Sequence, residues 1–109
     1  MTARILAIEP GRTIHVEADH DVYAVTLTDS LIQVSRQSAT GREVVVVVSL
    51  TEAHAGVVLD LSLVAPNRRA LVAEDVESIC RLLIADGDMN SQHRAAVEAL
   101  AGQAGVVLR

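Results

Sequence analysis

The chain has 109 residues, half of them hydrophobic, and a formal net charge of −5. That is enough for one core held without cross-links, read as a single domain over 1–109, and too little for a second. The acidic balance speaks against duplex DNA, whose affinity for proteins comes largely from neutralised phosphates, and a chain with no Phe, no Trp and one Tyr lacks the stacking platforms of single-strand binders.

Residues 3–8 are apolar apart from Arg4 and read as a first strand. No long apolar run precedes Glu9, so the N-terminus does not read as a signal peptide. Glu9-Pro10-Gly11-Arg12 has the form of a type II turn, Pro fixing one torsion and Gly supplying a positive one. Residues 13–18 alternate, with Ile14, Val16 and Ala18 on one face and Thr13, His15 and Glu17 on the other. After the polar break Asp19-His20-Asp21, residues 22–28 alternate again, Tyr23, Val25 and Leu27 opposing Ala24, Thr26 and Thr28. Ile32 and Val34 then oppose Gln33 and Ser35. Ser38-Ala39-Thr40-Gly41 suits a hairpin closed by a left-handed Gly. Short turns between neighbouring strands favour an antiparallel meander.

Val44 to Val48 are five consecutive valines, a strand by β-branching and apolar on both faces. Such a strand must be covered twice. Helices can supply one cover; the other is the far wall of a closed barrel, a second sheet or another subunit. The subunit alternative makes Val44, Val46 and Val48 candidate interface residues. Residues 49–64 admit two readings. Ser49-Leu50-Thr51-Glu52 matches a capping box, whereas Val57 to Leu63 alternates like a strand; a turn over 51–56 followed by a strand is the preferred one.

The last third is helical. Pro66-Asn67 gives a break and a cap, and Glu74 and Asp75 bring negative charge to the first turn, where the helix dipole favours it. Val72, Val76, Ile79 and Leu83 form an apolar stripe. Gly87 reads as a stop. Asn90 or Ser91 caps a second helix carrying Ala96, Val97, Leu100 and Ala101, with Gly102 as its stop, and Val106 to Leu108 reads as an edge strand or a groove-binding tail. The expected fold is therefore α+β: an antiparallel β-meander of about five or six strands, as a sheet or small barrel, followed by two C-terminal helices. Its rhythm of strands resembles small barrels capped by a helix, at the level of architecture alone.

Two constellations could hold a metal. His15, Asp19 and His20 mix imidazole and carboxylate, as transition metals prefer, but straddle a turn. Asp86, Asp88 and Asn90 place oxygens at the first, third and fifth positions of a calcium-type loop. That loop then departs from the pattern, with Ser91 where Gly belongs, His93 where an apolar residue belongs and Val97 where the bidentate Glu belongs; Glu98 stands one place late. The plainer readings are a solvated hairpin and a polar turn between helices, so no metal or other cofactor is expected. Arg68-Arg69 is the only adjacent basic pair and reads as a solvated helix start rather than a phosphate site. Cys80 lies among the residues of the apolar stripe, where a small buried thiol is expected rather than a nucleophile. Ser30, Ser35 and Ser38 lack a nucleophile elbow, and no Gly-rich phosphate loop is present.

With no catalytic residues assembled, the sequence reads as a non-enzymatic protein-interaction or regulatory module that forms a homo-oligomer. Two alternatives stand beside it: an acidic antagonist covering a basic protein partner, and a small ligand- or metal-binding barrel or enzyme whose pocket would use His15, Glu17 and Tyr23. Neither nucleic acid nor membrane is expected as a partner, since no apolar run is long enough to span a bilayer. The single cysteine allows no internal disulfide and fits a cytoplasmic location.

Overall fold

The computed structural model describes residues 4–9, 13–18, 20–38, 41–51, 56–64, 69–86 and 91–107. Six strands follow one another in chain order: β1 (Arg4–Glu9), β2 (Thr13–Glu17), β3 (Val22–Leu27), β4 (Leu31–Ser38), β5 (Gly41–Ser49) and β6 (Val58–Asp60). They form one antiparallel sheet in the order β1-β2-β3-β4-β5-β6. The sheet is open, with β1 and β6 as its edges. A short 3-10 helix (Leu61–Leu63) follows β6, and then come α1 (Ala73–Asp86) and α2 (Ser91–Gln103). No helix among the described residues is long and apolar enough to cross a membrane.

The register explains which face is covered. Ile14 pairs with Val25, Val25 with Val34, and Val34 with Val46; the next row runs Val16, Tyr23 and Arg36. Register partners share a face, so the period-2 pattern read from each strand converges on one apolar surface. Val76, Ile79, Cys80 and Leu83 of α1 and Ala96, Val97, Leu100 and Ala101 of α2 pack against it as one buried cluster. The opposite face carries Thr13, His15, Thr26 and Gln33, none fully buried. Thr13 and Thr26 are cross-strand partners whose hydroxyls lie 3.2 Å apart.

The valine strand meets its double requirement without a barrel. A bulge in β5 lets Val34 pair with Val46 and Ser35 with Val44, leaving Val45 as the extra residue. A bulge of this kind brings two neighbouring side chains towards one face, and both Val45 and Val46 are buried. Val46 and Val48 belong to the core beneath the helices, so they are not available to another subunit. Only Val44 of the three candidate interface residues is outside the core cluster, half-buried on the open face beside half-buried Val47. The far wall of a closed barrel is likewise not what covers this strand, because β6 pairs only with β5.

Residues 49–64 contain the strand reading in shortened form. Val58–Asp60 pairs with Val46–Val48, and the chain then turns into the 3-10 helix, capped by Asp60, whose carboxylate accepts from the Ser62 amide. Residues 52–55, which include Glu52 and His54, lie outside the described residues, as do Pro66, Asn67 and Gly87.

The end of α2 corrects one expectation. Gly102 is helical, and the stop is Gly105, at φ +74. The Val106 amide donates to the Ala101 carbonyl (2.8 Å) and the Gly105 amide to the Gly102 carbonyl (3.1 Å), the paired bonds of a Schellman cap. The two glycines should therefore respond oppositely to Ala. A Cβ at either would meet nothing within 4 Å, so backbone preference alone decides. Gly102→Ala should raise stability by about 0.5–1 kcal/mol, and Gly105→Ala should lower it by about 1 kcal/mol. Urea denaturation of the two variants gives the signs directly.

Candidate functional site

Two places in the structure combine polar groups or exposed apolar surface in ways the core does not require. The first is a polar junction where α1 meets the sheet. Tyr23 is the chain's single aromatic side chain and is fully buried on the helix-facing side of β3. A buried phenol needs a partner for its hydroxyl, and it donates to Asp75 Oδ2 at 2.6 Å. Asp75, in the first turn of α1, is also fully buried. Its Oδ1 accepts from the His20 backbone amide at 3.1 Å. Burial, then the hydrogen bond to Asp75 and the negative charges of Asp75 and Asp21, push the Tyr23 phenol well above its ordinary value near 10.0; Arg36 opposes them.

Arg36 stands in the same row as Tyr23 and is 4% exposed. Its guanidinium donates to the carbonyls of Arg69 (3.1 Å) and Ala70 (3.2 Å), and its Nε lies 3.4 Å from Asp21 Oδ2. The fork of donors thus straps the segment leading into α1 to the middle of the sheet. Arg69 Nη2 approaches the same Asp21 oxygen at 3.8 Å, so this arginine takes part in the junction from its rim. The Tyr23 hydroxyl and both terminal nitrogens of Arg36 have acceptors within the chain, while the buried Arg36 Nε makes no hydrogen bond and has only its ion pair with Asp21. The junction is built to hold α1 in place.

The two described histidines of the candidate metal ligands lie on opposite sides of the sheet. His15 faces the open side of the sheet, with Nε2 3.5 Å from Arg42 Nη2. His20 lies at the helix side, with Nε2 3.3 Å from Glu74 Oε2. Asp19, Asp88 and Asn90 lie outside the described residues, and so does the side chain of Asp86. Among the described residues, no group of three or more His, Cys, Asp and Glu side chains is placed to hold a metal. His93, an oddity in the calcium-loop reading, is instead buried in α2, with Nε2 2.9 Å from the Thr28 carbonyl. A carbonyl only accepts, so Nε2 carries the proton. Cys80 is fully buried, its thiol 3.7 Å from the Val97 carbonyl, and burial pushes it up to about 12. Such a thiol is poor in the thiolate needed for nucleophilic work.

Acidic side chains are spread among intramolecular partners: Glu17 with Arg4, Glu74 with His20, Glu77 with Arg81, and Asp21 with Arg36 and Arg69.

The second place is the β6 edge. Val57, Leu59, Leu63 and Val64 are 55%, 50%, 78% and 69% exposed. Residues 57–64 include a single charged residue, Asp60. Beside this surface, Val46, Asp60, Leu71, Val76, Leu100 and Ala104 line a cleft of about 160 Å³, with Gln103 completing it. The comparisons find no relative: no protein-family model, no curated protein and no solved structure matches this chain.

Proposed function

We propose that this protein is a non-enzymatic interaction module that associates with a second copy of itself through β6 and the 3-10 helix. The observation behind the reading is the apolar surface of Val57, Leu59, Leu63 and Val64 at a sheet edge. Apart from the inward Asp60, this edge presents aliphatic side chains where edge strands ordinarily carry charge or proline. Several large apolar side chains exposed within one short segment mark a place where something docks.

A second copy suits this surface on electrostatic grounds. The chain carries a net charge of −5, yet the only charge within 57–64, Asp60, is the register partner of Val46 on the helix-facing side of the sheet. Two such surfaces meet without opposing carboxylates. The inward carboxylate and the three-residue length of β6 work against continuous strand addition. Association therefore proceeds by side-chain packing rather than by extending the ladder, and a two-fold arrangement places the same patch on both sides.

Sedimentation equilibrium tests this. Wild type should show a multiple of the chain mass at tens of micromolar. Leu63→Glu, which puts a carboxylate at the most exposed of the four positions and outside the core cluster, should sediment as a monomer with an unchanged circular dichroism spectrum. A wild type that stays monomeric at several hundred micromolar would exclude self-association as its function.

A further inference from the structure

We infer that the cleft beside β6 is a binding site for a small primary ammonium group on a short aliphatic stem. Its walls come from four separate parts of the chain: Val46 on β5, Leu71 before α1, Val76 on α1, and Leu100 and Ala104 at the end of α2. These are aliphatic surfaces, and a volume of about 160 Å³ is of the order that holds a molecule the size of benzene. Into this apolar recess the fold places one carboxylate, Asp60, and one amide, Gln103. A recess of apolar wall with a few polar groups is the general form of a small-ligand site.

The carboxylate decides the class of ligand. Asp60 Oδ1 accepts from the Ser62 amide at 2.9 Å and from the Ser62 hydroxyl at 2.6 Å. Both bonds fall on the same oxygen, which fixes the carboxylate's orientation, while Oδ2 receives no hydrogen bond from any described residue. A held carboxylate, half-buried at the edge of an apolar recess, favours a compact cation with several donors over an anion or a neutral alcohol. An ammonium has three donors and suits both that carboxylate and the Gln103 side-chain carbonyl. The chain itself contains no Lys, so neither this copy nor a second one can offer a lysine ammonium to the site; the ligand is a free amine or the lysine of a different protein.

A ligand of five heavy atoms is limited by its size to binding no tighter than roughly micromolar, which suits titration followed by amide chemical shifts. The probes are n-butylammonium, n-butanol and n-butyrate at constant ionic strength, on the full wild-type chain. n-Butylammonium should give saturable shifts confined to the amides around Asp60, Leu71, Leu100 and Ala104. n-Butanol should bind at least tenfold more weakly, and n-butyrate should give no saturable shift. Asp60→Asn keeps the acceptor for Ser62 and should weaken n-butylammonium at least tenfold with the remaining spectrum intact. Should that variant lose its fold, the comparison of the three probes on the parent protein decides alone. Equal affinity for all three, unchanged affinity in Asp60→Asn, or no saturable shift with n-butylammonium at any of these amides overturns the assignment. A short peptide with one internal lysine separates the two sources of the ammonium: tighter binding of the peptide than of n-butylammonium identifies a protein lysine, and the reverse order identifies a free amine.

Discussion

Asp75→Ala should lower the free energy of unfolding by about 3 kcal/mol, the largest effect expected of any single side chain outside the aliphatic core. The carboxylate is fully buried and holds two donors, the Tyr23 hydroxyl and the His20 amide. Its removal leaves the buried Tyr23 hydroxyl and the part-buried His20 amide without their acceptor, and each such loss costs about 1–3 kcal/mol. Tyr23→Phe removes one donor and leaves Asp75 the other, so it should cost about 1–2 kcal/mol. The double variant should cost less than the sum, because the hydroxyl and the carboxylate serve one another. Against a total of about 5–15 kcal/mol for a domain of this size, Asp75→Ala removes a large share. Urea denaturation of the four proteins measures the cycle. A loss under 0.5 kcal/mol for Asp75→Ala would mean that α1 is held by its apolar face alone and that the junction is incidental. The junction also fixes the segment carrying Leu71 and Val76, so loosening it should weaken the cleft as well.

The strand pattern was legible because alternation is a property of the backbone: His15 against Val16, or Gln33 against Val34, sorts itself once one face is buried. The α1 stripe was legible for the same reason, through Val76, Ile79 and Leu83. The polar junction was harder to read, although its signals were present. Arg36 falls in phase with Ile32 and Val34 on the apolar face of β4, and Asp75 lies four residues before Ile79 on the apolar face of α1. A charge in phase with a core face is a buried charge seeking a partner. Asp75 was instead explained by the helix dipole, a sufficient reason for an exposed acid and the wrong one for a buried acid. The partner could not be read at all, since Tyr23 and Asp75 meet across 52 residues. The valines of β5 misled about the interface for a different reason. A homopolymeric run has no phase, so nothing in it distinguishes Val46 beneath the helices from Val44 on the open face; the bulge at Val45 is set by the pairing of Ser35 and Val34. The exposed patch at Leu59 and Leu63 was equally silent, because an aliphatic residue looks the same in sequence whether a helix covers it or not.

Raising the pH should unfold this protein through two side chains alone. The Cys80 thiol moves from 9.0 to about 12 in the folded chain, and the Tyr23 phenol moves upward from 10.0. Both are acids whose neutral form the fold prefers. Below pH 9 they are protonated in folded and unfolded chains alike and contribute no pH dependence. Above it the unfolded thiol gives up its proton while the folded one keeps it, so the unfolded state binds fewer protons and stability falls as pH rises. The slope approaches about 1.4 kcal/mol per pH unit for one group. Past pH 10 the phenol adds a second contribution of the same sign. The window is unusually clean, because the chain has no Lys to titrate within it and Arg stays protonated beyond it. Urea midpoints taken from pH 8 to 11 should therefore fall with increasing steepness. Cys80→Ala should delay the onset by about one pH unit, and adding Tyr23→Phe should leave the profile nearly flat. With one Tyr in the chain, tyrosinate absorbance follows a single group: it should stay absent while the protein is folded and appear together with loss of helical circular dichroism. Tyrosinate forming in the folded chain near pH 10 would mean that solvent reaches the Tyr23–Asp75 pair, and that the junction opens without unfolding.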